Sequence, residues 1–367
     1  MQVKQLIKLI LASCLVGCVM GESVNVYFGT YTGKESKGIY VSQLDMATGE
    51  LSKPKLAAAA SNPSFLVVKG DLIVAVSEND PGTVNTYYRA KQQHEWVEQT
   101  PRPTGGGAPC HVTLDATGKI AFVANYSGGN VISYRIEDGR QLSPPVSNIQ
   151  HKGSSVDPGR QKGPHAHAIN PHPNNRFVYA ADLGLDQVLM YKLDAATGVL
   201  TPNDPPFARV APGSGPRHLS FRPDGKVLYV INEMNRTISV FACNPETGGL
   251  KLVQNISTVP EGYDEGGSTA ELLVHPNGHF VYGSNRGHDS IAVYEADAES
   301  GKLRLVELEK TRGKTPRGFG IDPTGRYLIA ANQNSDDAFV FEIHPQTGAL
   351  EWTGSKIRVP SPVCVAF

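Results

Sequence analysis

The chain has 367 residues, with 34 lysines and arginines against 35 acidic side chains, so its formal net charge at neutral pH is −1. This balance excludes the basic excess by which nucleic-acid-binding domains contact phosphates, and we expect no nucleic-acid partner. The 38 glycines and 26 prolines are too many for a mainly helical protein and are typical of short strands joined by tight turns.

Residues 1–18 have the features of a secretory signal peptide. Lys4 and Lys8 flank the start of a short apolar run, which is too short to cross a bilayer and ends in small residues. The segment resembles a bacterial lipobox twice, as "LASC" ending at Cys14 and "LVGC" ending at Cys18. We favour lipidation of Cys18, because cleavage before Cys14 would leave a very short apolar core. An ordinary signal peptide with incidental cysteines is the alternative. We therefore expect an exported bacterial protein, periplasmic or anchored to the outer membrane by lipid alone.

After this leader, one sequence unit recurs along the chain. Each copy has a short apolar strand, a Pro/Asp/Gly turn, a second strand ending near Asn, and a third strand with alternating apolar residues. Five clear copies and one degenerate copy begin at Ala108, Gly163, Gly215, Ser268, Thr315 and, for the degenerate one, Asn62. Their anchor positions 63, 109, 164, 216, 269 and 316 lie 46, 55, 52, 53 and 47 residues apart, close to the propeller period of about 40–50 residues.

A fourth strand and a seventh copy complete the pattern. Segments of the type D-x-x-T-G-x-L follow several copies and predict a turn into a fourth strand. The seventh copy is split, since "SPVCVAF" (Ser361–Phe367) supplies its first strand and Val24–Leu51 supplies the others. We therefore predict an all-β, seven-bladed β-propeller with four-stranded blades, whose ring is closed by the C-terminal strand joining the N-terminal blade. Residues 19–367 are expected to form this single domain.

Positions at which the blades differ chemically are candidates for a functional site, because the first strand of each blade lines the central channel. Directly after the anchor the blades carry Ser64, Cys110, His165, Arg217, Ala270, Arg317 and Val363. The next position carries Phe65, His111, Ala166, His218, Glu271, Gly318 and Cys364, and His167 follows in its own blade. The end of the second strand carries Tyr31, Glu78, Tyr126, Leu183, Glu233, Arg286 and Gln333.

Nine charged or titratable side chains stand out at these positions: Arg217, Arg286, Arg317, His111, His165, His167, His218, Glu233 and Glu271. Strands that line a channel avoid charges unless they are paired, so mutual ion pairing is one explanation. Three arginines and four histidines exceed what pairing requires, and we predict a mouth that binds an anionic small molecule beside acid/base groups. His172, next to a turn proline, is expected at the surface, and His151 in the preceding loop.

Several motifs together resemble the lactonase family of seven-bladed propellers, which includes propeller-type 6-phosphogluconolactonases and fungal carboxy-muconate cyclases. They are "GPHAH…DLG", "GSGPRHLSF", "VINE", "STAEL…SNRGHDSIAVY" and "PRGFGIDPTGRYLIAANQNSD". The resemblance covers about Val24 to Phe367. For the cyclases, a cluster of one histidine, two arginines and a glutamate is the proposed catalytic group. The resemblance implies the same cluster here, composed of His165 or His167, Arg217, Arg286 and Glu233.

Lactone hydrolysis requires an activated water, a stabilised oxyanion and a proton for the departing alkoxide. We expect Glu233 or His167 as the acid/base group and Arg217 with Arg286 at the oxyanion or a substrate carboxylate. Arg317 and His165 are expected to clamp the substrate. Further substrate contacts are expected from His111, His218, Glu271, Tyr126 and Gln333. The sequence contains no G-x-S-x-G segment, so we expect no serine nucleophile. We expect no cofactor and a monomer or weak dimer.

Three other functions are compatible with the sequence. A metal-dependent lactonase would bind Ca²⁺ through channel oxygens or a transition metal through "HAH", although three arginines would repel a dication. The oxygen ligands would come from Glu78, Asn125, Asn232, Glu233 and Glu271. A muconate-type cyclase would use the same mouth, and a non-catalytic exported propeller would bind sugar acids or a partner protein there. A signal peptide favours a lactone from outside the cytoplasm and without phosphate.

Overall fold

The computed structural model describes residues 22–33, 35–89 and 95–367. The expected signal peptide and its Cys18 lie outside these residues. Within the described ranges, no helix has the length and apolar character needed to span a membrane.

The described residues form seven antiparallel sheets of short strands. In chain order these strands are β1 (Ser23–Thr30), β2 (Gly38–Asp45), β3 (Lys55–Ala59), β4 (Leu66–Lys69), β5 (Leu72–Ser77), β6 (Thr83–Tyr88), β7 (Val97–Glu98), β8 (Arg102–Pro103), β9 (Pro109–Leu114), β10 (Ile120–Asn125), β11 (Asn130–Glu137), β12 (Gln141–Leu142), β13 (Ser147–Gln150), β14 (Ala166–Pro171), β15 (Phe177–Asp182), β16 (Gln187–Asp194), β17 (Val199–Arg209), β18 (Pro216–Phe221), β19 (Val227–Asn232), β20 (Thr237–Cys243), β21 (Leu250–Ser257), β22 (Ser268–Val274), β23 (Phe280–Arg286), β24 (Ser290–Ala296), β25 (Leu303–Lys310), β26 (Pro316–Ile321), β27 (Tyr327–Asn332), β28 (Asp337–Ile343), β29 (Leu350–Arg358) and β30 (Pro362–Ala366).

Each sheet is one blade of a closed ring. The innermost strands β30, β4, β9, β14, β18, β22 and β26 contact one another in this order, and β26 contacts β30 again. In two blades the outermost position is divided between two short strands, β7 with β8 and β12 with β13. The prediction of an all-β, seven-bladed propeller is confirmed.

The ring closes as the split copy predicts. Strand β1 pairs with β2 on one side and with β30 on the other, so that Phe28 lies opposite Val365. The last strand of the chain thus completes the blade formed by the first strands. Pairing with β30 satisfies the inner edge of β1, and closure of the ring covers the blade faces that an open array would expose.

The blades are held together by apolar side chains on both of their faces. Middle strands such as β10 and β19 are buried along their whole length, because each lies between two neighbouring blades. Tyr179 of one blade packs in a single apolar cluster with Val230 and Phe241 of the next. Burial of each large apolar side chain stabilises the fold by about 1.5–3 kcal/mol, so the core is distributed around the ring.

His172 is buried, with 2% of its surface exposed, and the expectation of a surface residue is wrong. Its Nε2–H donates to the carbonyl oxygen of Gly225 in the next blade at 2.8 Å. Gly225 has φ of 71°, and a Cβ there would lie 2.5 Å from the imidazole ring. The histidine therefore ties two blades together. His151 lies in the loop after β13, as expected, and is also buried.

The register of β14 differs by two residues from the register that the repeat alignment predicts. Ala166 opposes Asp182, as Pro216 opposes Asn232 in the next blade. His167 therefore occupies the position equivalent to Arg217, and His165 precedes the channel strand instead of lying on it. The error arises because "GPHAH" places its Gly-Pro pair two residues farther from the strand than "GPRH" does.

Candidate active site

The four expected catalytic residues lie at one mouth of the channel. Arg217 and His167 are the second residues of β18 and β14, Arg286 is the last residue of β23, and Glu233 follows β19. Because neighbouring strands are antiparallel, the start of each first strand meets the end of each second strand. The fold therefore brings the two predicted levels of residues together at this mouth.

The carboxylate of Glu233 is the centre of the cluster. Its Oε2 lies 3.1 Å from Arg217 Nε and 2.9 Å from Arg286 Nη2, and its Oε1 lies 2.9 Å from Arg160 Nη2. Burial opposes ionisation of this carboxyl, but the three guanidinium groups outweigh it and lower the pKa of Glu233 to about 2. Glu233 is therefore a poor proton acceptor, and its geometry suits it to hold the arginines in place.

Backbone carbonyl groups fix the two deeper arginines. Arg217 Nη1 donates to the carbonyl oxygen of Ala270 at 2.8 Å, and Arg286 Nη2 donates to that of Thr269 at 2.7 Å. Burial and the nearby Arg217 lower the pKa of Arg286 to about 10, so it remains cationic at neutral pH. Three cations around one carboxylate leave an excess of positive charge, which favours an anion or a developing oxyanion.

Arg160 is a member of this cluster that the sequence analysis did not identify. It lies in the loop between β13 and β14, with 46% of its side chain exposed, and also donates to the Tyr126 hydroxyl at 2.9 Å. A loop residue has no position in the repeat, so comparison of the blades does not find it. The available signal was the 55-residue spacing between anchors 109 and 164, the longest in the chain, which indicates an insertion here.

The two histidines of "HAH" have different surroundings. His167 is buried, with its Nε2 4.0 Å from Glu233 Oε2. Burial, together with Arg217 and His218, holds the pKa of His167 well below 6.5, so the ring is neutral and able to accept a proton. His165 is half-buried and stacks on Tyr126 at 4.5 Å. Its Nδ1 donates to the Tyr126 carbonyl oxygen at 2.9 Å, which leaves Nε2 as the acceptor of a neutral ring.

Arg317 lies on another wall of the mouth. Its Nη2 donates to the Tyr31 hydroxyl at 3.0 Å, and that hydroxyl donates to Glu78 Oε2 at 2.8 Å. Among the described residues, no carboxylate oxygen lies within 4.0 Å of the Arg317 guanidinium. Arg317 is therefore better placed to bind an anionic or hydroxyl group of a ligand than the arginines that surround Glu233.

His111, His218 and Glu271 form a second, deeper cluster. His218 Nδ1 lies 2.6 Å from Glu271 Oε1, and the His111 ring lies 5.3 Å from that of His218. Burial lowers the pKa of both histidines well below 6.5 and raises the pKa of Glu271 to about 7. These three residues line a cavity of about 290 Å³ toward the opposite mouth. His218 also borders the Glu233 cluster, because its ring lies 5.5 Å from that of His167. The expected substrate contacts of the three residues remain a prediction.

The remaining expected residues lie at the rim. Tyr126 contacts Arg160 and His165, as described above. Gln333 lines a cavity of about 480 Å³ that it shares with Tyr31, Gly33, Glu35, Asn334, Asp336, Pro360 and Ser361.

The donor groups at the mouth do not fit a dication. In the part of the chain that the structure describes, no three His, Cys, Asp or Glu side chains are grouped as metal ligands. Both oxygens of Glu233 are engaged by guanidinium groups, and His165 Nδ1 is engaged by a carbonyl oxygen. The arrangement favours anion chemistry.

Comparisons with known proteins agree over nearly the whole chain. Residues 25–367 match the family model described as "Lactonase, 7-bladed beta-propeller". The chain is 36% identical over 344 residues to a 6-phosphogluconolactonase of Bacillus subtilis. This alignment covers 93% of this chain and 97% of that protein. It is 29% identical to a 6-phosphogluconolactonase of Formosa agariphila, over 89% of this chain and 94% of that one. The solved structure of a periplasmic gluconolactonase from Pseudomonas aeruginosa has a TM-score of 0.88 and 33% identity, covering 94% and 98% of the two chains. Because the family model and these relatives span almost the full propeller, the chain belongs to the seven-bladed β-propeller lactonase family.

Proposed function

We propose that the protein is an exported lactonase that hydrolyses a sugar-acid lactone at the arginine-lined mouth. The observation that carries this proposal is the group of three guanidinium groups around Glu233, beside the neutral ring of His167. The relatives named 6-phosphogluconolactonase and gluconolactonase support the reaction class. The signal-like N-terminus and the periplasmic relative support export, and an exported enzyme favours an unphosphorylated substrate.

In the first step, His167 Nε2 accepts a proton from a water molecule. The water oxygen attacks the carbonyl carbon of the lactone, and the carbonyl π electrons move to the carbonyl oxygen. The resulting oxyanion is stabilised by the guanidinium groups of Arg286 and Arg217, which are already held in place. Glu233 positions these arginines and takes no proton.

In the second step, the carbonyl group forms again and the bond to the ring oxygen breaks. The ring oxygen takes the proton from the imidazolium of His167, so the leaving group departs as a hydroxyl and the base is regenerated. The new carboxylic acid then loses a proton to solvent. One water is consumed, and the product is an open-chain hydroxy acid anion that leaves the positively charged mouth.

A panel of lactones assayed by acid release tests this proposal. We expect wild-type protein to accelerate the hydrolysis of glucono-δ-lactone or its 6-phosphate above the spontaneous rate. Arg286→Ala is expected to lower kcat/KM by about 10²–10³-fold, because it removes an oxyanion stabiliser. The control is Arg176→Ala, an exposed arginine paired with Glu246 on the surface. A wild-type rate equal to the spontaneous rate on every lactone would refute the enzyme proposal and favour the binding protein.

The pH profile tests the choice of His167 as the base. A base acts in its unprotonated form, and the pKa of His167 lies well below 6.5. We therefore expect kcat/KM to stay constant as the pH falls through 6.5 and to decline only at lower pH, where the ring becomes protonated. The measurement is a pH-stat profile from about pH 5 to about pH 7.5. An acidic midpoint at or above 6.5 would contradict the assignment.

A further inference from the structure

A cavity on the same side of the ring as the Glu233 cluster, lined by residues that follow second strands, is not used by the proposed reaction. Its volume is about 480 Å³, within the range of about 300–1,000 Å³ in which small molecules bind. The cavity lies between the blade of β26–β29 and the blade that closes the ring, since its lining comes from the ends of β1 and β27 and the loop before β30.

Tyr31 connects this cavity to the mouth. The side chain lines the cavity, and its hydroxyl accepts a hydrogen bond from Arg317. Arg317 and Arg217 line one small void in the channel, and Arg217 contacts Glu233. Arg317 and Tyr31 therefore lie between the oxyanion-stabilising arginines and the cavity. If the lactone ring lies at the mouth, a second group of the ligand can occupy this space beyond Arg317 and Tyr31.

The lining is suited to hydroxyl groups. The amides of Gln333 and Asn334 each donate and accept hydrogen bonds, and the carboxylate of Asp336 accepts them. Asp336 is held in place, because its Oδ1 accepts a hydrogen bond from the backbone N–H of Ser361 at 2.8 Å. The ring of Tyr31 supplies an aromatic surface for the apolar face of a sugar.

Among the residues that the structure describes, the charges of the lining disfavour a second anionic group. Two carboxylates, Glu35 and Asp336, contribute to it, and both contact the same guanidinium, with Arg358 Nη2 at 2.8 Å from Glu35 and 3.9 Å from Asp336. A phosphate or carboxylate in this cavity would face this acidic pair, whereas the anion-binding groups lie at the mouth. A neutral, polyhydroxylated group fits the cavity.

We propose that this cavity is a subsite for a neutral sugar residue, so that the protein accepts the aldonolactones of disaccharides. The inference rests on the proposed lactonase function and names its substrate class. The reaction itself is unchanged: water opens the lactone ring at Glu233 and His167, and the glycosidic bond to the second sugar stays intact.

The test compares glucono-δ-lactone with cellobiono-δ-lactone and maltobiono-δ-lactone for wild type and Asn334→Trp. Asn334 is exposed at the rim of the cavity, so the indole can fill the subsite without disturbing the core. We expect wild type to have a lower KM for at least one disaccharide lactone than for glucono-δ-lactone. Asn334→Trp should raise that KM about 10–100-fold and leave the hydrolysis of glucono-δ-lactone unchanged. Glu351→Trp, on the outer strand β29, is the control for an added surface indole.

Two results would overturn the subsite while leaving the lactonase function intact. One is a wild-type KM for both disaccharide lactones that is no lower than for glucono-δ-lactone, and the other is an equal loss of activity on all three lactones in Asn334→Trp. If no lactone is hydrolysed, the lactonase proposal fails, and a calorimetric titration with cellobionate and maltobionate decides the subsite. The subsite is supported if wild type binds either acid and Asn334→Trp binds that acid more weakly. The subsite is refuted if wild type binds neither acid.

Discussion

The free energy of unfolding of the Glu233→Gln variant is expected to be about 3–5 kcal/mol lower than that of the wild type. Three guanidinium groups lie within 2.9–3.1 Å of this one carboxylate, and Arg217 and Arg286 are largely buried. A neutral amide of the same shape leaves their charges uncompensated in a place where water cannot screen them. Urea unfolding at neutral pH measures the difference.

An exposed ion pair of similar length provides the matched control. Arg176 and Glu246 lie 2.9 Å apart, but their side chains are 55% and 79% exposed. Glu246→Gln should change the free energy of unfolding by less than about 0.5 kcal/mol, because solvent screens such pairs. Similar decreases in the free energy of unfolding of Glu233→Gln and Glu246→Gln would contradict the role of Glu233 as the shared partner of three arginines.

The pH dependence of stability gives a second measure of the same interaction. The pKa of Glu233 is lowered from 4.5 to about 2 in the folded protein. Its stabilising contribution is therefore complete above pH 4.5 and is lost as the pH falls toward 2. In Glu233→Gln this part of the acid dependence should be absent.

The His167→Gln variant is expected to lose about 10²–10⁴-fold in kcat on the best lactone of the panel, with a smaller change in KM. Glutamine keeps a polar side chain at this position but cannot accept a proton from water near neutral pH. The arginines contact Glu233 and backbone carbonyl groups directly, so their arrangement does not depend on the imidazole. Initial rates of acid release over a range of lactone concentrations separate kcat from KM.

His165→Gln distinguishes the two histidines of the "HAH" segment. His165 lies at the rim, stacked on Tyr126, and its loss should raise KM more than it lowers kcat. The opposite pattern, with kcat retained in His167→Gln and lost in His165→Gln, would transfer the role of base to His165.

Much of the candidate site could be predicted because it lies on the repeat. Glu233 and Arg286 occupy equivalent positions of neighbouring blades, and Arg217 lies at the start of the first strand in the blade of Glu233. The alignment of blades therefore placed the three residues at one mouth before any contact was known. The register of β14 could not be predicted in the same way. The Gly-Pro pair of "GPHAH" precedes the strand by a different distance than in "GPRH", and only the pairing of Ala166 with Asp182 identifies His167 as the channel residue.

Arg160 and His172 illustrate what the alignment misses. Arg160 reaches Glu233 from a loop, across 73 residues of sequence, and no periodic pattern relates the two. His172 follows a strand next to a turn proline, which is typical of an exposed residue. It is buried because the glycine of the neighbouring blade leaves room for the ring.

The sequence by itself determined the propeller, its seven blades and the closure by the C-terminal strand. Strand alternation, turn residues and repeat spacing are local properties, and each blade is made from one continuous segment, except the one that joins the chain ends. Only the tertiary structure decided which charges neutralise one another. Electrostatic pairing and burial depend on distances between blades, and these distances made Glu233 the partner of three arginines, lowered the pKa of His167 and left Arg317 beside Tyr31 at the cavity.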